Sequence, residues 1–250
     1  MKSVAFIVCV LVGLLLLSAV EDFPAWGDPK SPANASNISQ HYITKTGQET
    51  GVPNLVTAVL ADYRGFDTLF ETVVVFTAGI SIIAILGILP TSETRRQEPD
   101  QRGCDQDIIV IQTCRLVIPV IQLFALYVIA HGHHSPGGGF QGGVIYGASL
   151  ILIAVARDLP TALKRVSARK AVILAAVGVL IYAGFGLACL PVGGNFLDYQ
   201  ALHAYFGTDP VMTRYYSMLG VEIGVAFTVS TIMFAIYAYL SSKGELKGGL

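Results

Sequence analysis

The sequence predicts an all-α, polytopic membrane protein with about six transmembrane helices, arranged as two plus a four-helix bundle, and both termini cytoplasmic. Three observations carry this. Only 13% of the 250 residues are charged and the mean hydropathy is +0.62, whereas a soluble domain carries about 25% charged residues. Uncharged or singly charged apolar runs recur at the length that crosses a bilayer. Lys and Arg fall mostly on one side of those runs.

A hydrocarbon core about 30 Å thick takes some 20 apolar residues in helix. Val4–Val20 is short but uncharged, with Lys2 as its basic flank. It reads as a retained helix or as a signal segment, and Leu17-Ser18-Ala19 fits a small-residue cleavage site poorly. Thr68–Leu89 carries one acid, Glu71, and Ile108–Ala130 one base, Arg115, with Pro119 as an expected kink. Phe140–Ala156 and Ala171–Leu190 are uncharged, and Tyr215–Leu240 carries Glu222. Barrel strands alternate over about 10 residues, so continuous runs of this length are helices.

With the N-terminus inside, eleven bases fall on inner segments, including Arg157, Lys164, Arg165, Arg169 and Lys170. Only Lys30, Lys45, Arg64 and Arg214 fall outside. That asymmetry follows the positive-inside rule. Residues 91–107 form a polar linker with Pro99 and Gly103, dividing an N-terminal two-helix unit (residues 1–90, with an outer loop over Glu21–Gly51) from a four-helix unit (residues 108–243). The loop holds N-x-S sequons at Asn34 and Asn37, a pattern that also arises by chance.

A net charge of −1 argues against a nucleic-acid partner, since phosphates require surplus Lys and Arg. Cys9, Cys104, Cys114 and Cys189 are scattered and form no CxxC pair, which excludes a disulfide framework. No nucleophile–base arrangement or cofactor loop is present, and the chain reads as a non-enzyme with no cofactor of its own.

Three segments carry the chemistry. In His131–Gly147 (HGHHSPGGGFQGGVIYG), the imidazoles of His131, His133 and His134 fit either metal ligation or a tight turn. No nearby Cys, Asp or Glu completes a metal shell, which favours the turn, with Pro136, Gly137 and Gly138 allowing close backbone approach. Gly139, Gly143 and Gly147 recur every four residues and form a flat stripe for helix packing. In Asp62–Glu71 (DYRGFDTLFE), Arg64, Asp67 and Glu71 share a face if the helix runs unbroken through Gly65. Asp62 and Arg64 also fit a solvated membrane boundary. Glu71, followed by 18 uncharged residues, is different: a charge within a span costs roughly 2.5–3.5 kcal/mol on insertion scales and faces a partner or a hydrated path. Glu222 lies between Gly220 and Gly224, turned about 200° from a small-residue face. It points to a different neighbour, in another subunit, since this chain offers few intramembrane cations. Its alternative is a protonated carboxyl used for packing. Arg115 snorkels to the inner interface, and Tyr215 and Tyr216 suit an outer aromatic belt.

The stretch His131–Gly147, together with the acid at Glu222, resembles the B subunit of multisubunit Mrp-type Na+/H+ antiporters and the homologous subunit of membrane-bound hydrogenase complexes. The likeness covers Ile108–Leu240. Asp62–Glu71 is similar to the C-terminal part of the antiporter A subunit and to the small hydrogenase-arm subunit equivalent to it; Phe70 stands where that motif often has glycine. The chain thus resembles a fusion of two neighbouring subunits. The resemblance implies a multi-pass cell-membrane subunit that exchanges Na+ for H+ beside other membrane subunits, with Glu71 and Glu222, and Asp67 and Arg64 beside them, as ion-translocation residues. Two other readings remain open on the residues alone. One is a scaffold whose carboxylates only hold helices together, and the other is a divalent-metal carrier using the histidine turn.

Overall fold

The computed structural model describes residues 2–31, 37–88, 108–242 and 244. Among these the chain is helical with no strand. It divides into two compact units, Met1–Lys45 and Thr46–Leu250. The expected linker, residues 91–107, lies outside the described residues.

In the first unit, α1 (Lys2–Val20) is apolar over Phe6–Val20, and its large side chains are exposed, Leu15 at 69% and Phe6 at 71%. A second helix, α2 (Asn37–Thr50), begins here and ends in the second unit. Composition alone makes this stretch part of an outer loop, and the structure corrects that. Its Ser/Asn-rich start hides a helix whose buried side, Thr46 and Thr50, is polar rather than apolar.

In the second unit, Asn54 caps a short helix, α3 (Leu55–Ala58), by accepting a hydrogen bond from Val56 N–H. A π-turn over Val59–Tyr63 follows. Arg64 then leaves helical geometry (φ −119°, ψ 34°), and α4 (Gly65–Ile88) starts afresh. The remaining elements are α5 (Ile108–Ala130), α6 (Gly139–Ala156), α7 (Leu159–Arg165), α8 (Ala168–Cys189), α9 (His203–Phe206) and α10 (Pro210–Ser241). Helices α4, α5, α6, α8 (with the turn to Val192) and α10 are long and apolar enough to cross a membrane. The expected set of about six therefore resolves into five such helices plus the shorter α1.

Helix α10 is the axis: it packs against α8, α6 and α4. Small residues set each approach. On α6, a Cβ at Gly143 would stand 3.1 Å from Ala226 Cα, and one at Gly147 would stand 2.8 Å from Ser230 O. On α8, Gly178 faces Gly224, where an added Cβ would sit 2.8 Å from Gly178 O. Thr228 Oγ1 completes this contact by donating to Ala175 O at 3.0 Å. In hydrocarbon no hydrophobic force drives helices together, so van der Waals contact between close backbones and interhelical hydrogen bonds must do so. Pro119 lies within α5, and α5 packs chiefly on α6.

Replacing Gly143 by Ala places a methyl against backbone atoms that cannot rotate away. We expect a loss of about 1–3 kcal/mol, measured as a lower unfolding midpoint in detergent, and a larger loss for Gly143→Val.

Candidate functional site: a two-carboxylate cavity under a clasped turn

The turn between α5 and α6 is held from outside its own sequence. Asn54 Nδ2 donates to Gly132 O at 2.8 Å and to Ser135 O at 2.9 Å, and Asn54 N–H donates to His133 O at 3.0 Å. Thr57 Oγ1 adds a bond to Gly132 O at 2.7 Å. One asparagine thus donates to three backbone carbonyls at a helix end, one of them shared with Thr57.

The three imidazoles go to three separate places. His131 is exposed and stacks on Tyr127 with ring centroids 4.1 Å apart. His134 Nε2 pairs with the Tyr215 hydroxyl at 3.0 Å. His133 is 1% exposed, meets the Tyr215 ring edge-on at 4.3 Å, and has no hydrogen-bond partner on either nitrogen. Tyr215, expected in an aromatic belt, is instead half-buried between two histidines. Among the described residues no group of three or more His, Cys, Asp or Glu could hold a metal ion.

Pro136 is exposed beyond these rings, and the chain then turns through Gly137 and Gly138. Gly138 has φ +139°, a conformation that L side chains rarely adopt, and a Cβ there would stand 3.0 Å from Glu222 Oε1. The bare backbone is needed because Glu222 reaches across from α10, and its Oε2 accepts the Gly139 N–H. Gly139 begins α6, so the carboxylate satisfies an orphan donor at the positive end of a helix dipole. The neighbour of Glu222 thus belongs to this chain, while Gly220 and Gly224 turn toward Phe185 and Gly178 of α8.

Glu222 and Glu71 line one cavity of about 590 Å³, with Thr57, Thr68, Gln141 and the Gly137–Gly139 backbone as its polar wall and Leu60, Val221 and Val225 among its apolar residues. Glu71 is exposed on the surface of this chain. Arg64 and Asp67 stand elsewhere. The break at Arg64 separates Arg64 from the α4 face, and its Nε donates to Asp67 Oδ2 at 2.6 Å in an exposed pair. They line a separate cavity of about 390 Å³ together with Asp62 and Asp198.

Asp62, expected at a solvated boundary, is buried: its carboxylate accepts Arg214 Nε at 2.6 Å, with side chains 7% and 17% exposed respectively. Burial raises the Asp62 carboxyl above the ordinary range even though Arg214 pulls it down. Arg214 Cζ lies 5.6 Å from the Tyr63 ring centroid, and the Tyr63 hydroxyl donates to Glu49 Oε2 at 2.6 Å. Burial and the Glu49 carboxylate push that phenol up to about 12. Sequence reasoning missed the roles of Asn54, Thr57, Asp62 and Arg214. The one local signal was Asn54 ahead of an apolar run, an N-cap pattern.

With this geometry in view, residues 109–235 match the domain described as related to the MnhB subunit of Na+/H+ antiporters. The chain belongs to that MnhB-related family. Residues 27–102 match the family described as the E subunit of MBH, a second segment beside the MnhB-related one. The chain is 31% identical over 135 residues to the B subunit of the Na+/H+ antiporter of Bacillus subtilis, covering 52% of this chain and 92% of the relative. It is 26% identical over 198 residues to the A/B subunit of a probable K+/H+ antiporter of Rhizobium meliloti. That match takes 71% of this chain but spans only 19% of the relative's length. Among solved structures, the Mrp complex from Dietzia sp. DQ12-45-1b aligns over 100% of this chain and 26% of its own, with 26% identity and TM-score 0.70. The membrane-bound sulfane sulfur reductase, an archaeal respiratory membrane complex, aligns over 96% of this chain and 97% of its own, with 26% identity and TM-score 0.63. Both are multisubunit assemblies. The MnhB-related chain is accordingly a multi-pass membrane protein.

The MnhB-related turn has an acid sensitivity of known sign. Burial, helped by His134, lowers the His133 imidazole to about 4 from 6.5. Its contribution is therefore fully present above about pH 6.5 and is lost as pH falls toward 4, by at most about 3 kcal/mol. Thermal unfolding between pH 7 and 4 should show this fall in the native protein and a flatter profile in His133→Phe, which keeps the ring against Tyr215. Separately, Asp62→Asn strands a largely buried guanidinium and should cost about 3–5 kcal/mol, read from the same unfolding measurement at pH 7.

Proposed function

We propose that this chain carries two ion-handling carboxylates, Glu71 and Glu222, for cation/proton exchange in a complex of the Mrp type, with Na+ and H+ as the transported ions. One observation carries the reading: two acids 151 positions apart in sequence, each the single acid of its apolar run, line the same cavity. A carboxylate set in hydrocarbon takes up a proton readily, and releases it when water or a cation arrives. Thr57, Thr68 and Gln141 supply neutral oxygens beside the acids, the donor type that suits a hard monovalent cation. Glu71, exposed in the isolated chain, faces a neighbouring subunit or a hydrated path.

Arg64 and Asp67 belong at the mouth of this system, as a charged pair on the second cavity. His131, His133, His134, Pro136 and the glycines from Gly137 to Gly147 act as the turn and packing surface that places Glu222. The chain is read as residues 1–90 and 108–243 joined by 91–107, in the cell membrane, with both termini cytoplasmic as the Lys and Arg asymmetry favours.

A scaffold reading is favoured by one contact, the Glu222–Gly139 bond, which would hold α10 to α6 without any ion. Charge-neutral substitution separates the two. Glu71→Gln and Glu222→Gln keep size and hydrogen bonding. In everted vesicles carrying the assembled complex, Na+/H+ exchange should fall at least tenfold for either variant, an effect of about 1.4 kcal/mol on the barrier, with the complex still assembled. Undiminished exchange in both variants removes the ion-handling role and leaves the scaffold.

A further inference from the structure

A continuous seam runs along α5 and α6 on faces that the carboxylate cavity does not use. At 100° per residue, Ile118, Gln122, Leu126 and Ile129 project within about 80° of one another on α5, and Tyr146, Leu150, Ile153 and Arg157 within about 60° on α6. At one end the seam opens into a crevice of about 90 Å³ lined by Arg115, Arg157 and Arg165, with Thr161 and Gln122 beside them. Along the rest lies a groove of about 620 Å³, lined by Leu126, Ile129, Leu150, Leu174 and Phe227 among others. The two parts adjoin along both helices: Gln122 and Ile153 line the crevice, and Leu126 and Leu150, one turn on, line the groove. Leu126 and Phe227 are 52% and 40% exposed, so the groove is open to hydrocarbon.

The charges at the crevice come from three elements: the first turns of α5, the end of α6 and the end of α7. None of the described residues lining it is acidic. The adjacent acid, Asp158, is already committed, accepting Thr161 N–H at 2.6 Å as the α7 cap and interacting with Lys164 and Arg157. Three guanidiniums at the boundary of an apolar groove match a molecule that is a phosphate at one end and hydrocarbon at the other. Guanidinium forks bind phosphate bidentately, and basic pockets between transmembrane helices take anionic headgroups. A partner helix on this surface would instead need acids at the same boundary to meet the three guanidiniums. From Arg115 to Ile129 the seam runs about 21 Å along the helix, enough to cover the half-thickness of a bilayer, about 15 Å.

We propose that this seam is a binding site for an anionic phospholipid, with its phosphate on Arg115, Arg157 and Arg165 and an acyl chain in the groove. It is independent of the roles given to Glu71 and Glu222. The full chain, delipidated in detergent, is titrated with phosphatidylglycerol, phosphatidylcholine and inorganic phosphate, and bound lipid is counted by native mass spectrometry. We expect preference for phosphatidylglycerol, weakened roughly 30-fold by Arg115→Gln with Arg165→Gln and largely kept by the Lys versions of the same pair. Leu126→Trp, at a half-exposed position on the groove, fills it without touching charge, should weaken lipid binding and serves if the Gln pair does not fold. Equal affinity for the two lipids, or unchanged binding in the Gln pair and in Leu126→Trp, overturns the proposal. Inorganic phosphate competing as well as the intact lipid also overturns it, leaving an anion site without a chain.

Discussion

Everything around the cavity depends on how closely α6 approaches α10 where Glu222 meets the first N–H of α6. That contact works only if three conditions hold together. The carboxylate must leave α10 on the side away from Gly220 and Gly224, the turn must present backbone without side chains, and α6 must begin at that level so that its orphan N–H is available. A helix N-terminus carries about half a positive charge, which offers a carboxylate in hydrocarbon a partner that is not a basic side chain. Glu222 is thereby accommodated without a lysine or arginine at its side.

The glycine stripe and the carboxylate belong to one arrangement. Gly139, Gly143 and Gly147 meet Glu222, Ala226 and Ser230, two rows of four-residue spacing laid against each other. The first step of the ladder is polar and faces the cavity, and the later steps are plain packing. A substitution low on the ladder therefore alters the distance at its top. On the other flank of α10, the Gly178–Gly224 contact and the Thr228 bond to α8 hold the same helix from behind, so α10 has little freedom to adjust.

The outer end of the second unit uses a different chemistry. Asn54 and Thr57 clasp the histidine turn through its carbonyls, while Asp62 and Arg214 join the π-turn to α10. These polar bonds sit where the chain changes direction, and they replace the water that loop backbone would otherwise recruit. His133 is an exception among them, closed in with neither ring nitrogen partnered among the described residues. Its burial is tolerated only as the neutral imidazole, so the turn's integrity tracks acidity.

The five long helices, their order and the choice of Glu71 and Glu222 as the unusual acids could be read from one dimension, because length and uncharged composition are local properties and the bilayer imposes a period of its own. The small-residue stripe was legible for the same reason: a four-residue repeat maps onto one helix face. The helix over Asn37–Thr50 was not legible, since its buried side is threonine and carries no apolar period. Neither was the break at Arg64, which takes Arg64 off the α4 face; Gly65 signalled a weak point but not its outcome. That Glu71 and Glu222 face one space, that Asn54 holds a turn some 80 residues away, and that Asp62 finds Arg214 were decided by tertiary structure alone. Side-chain type specifies what a group can bind, whereas the crossing of α4, α6 and α10 determines which groups come within reach.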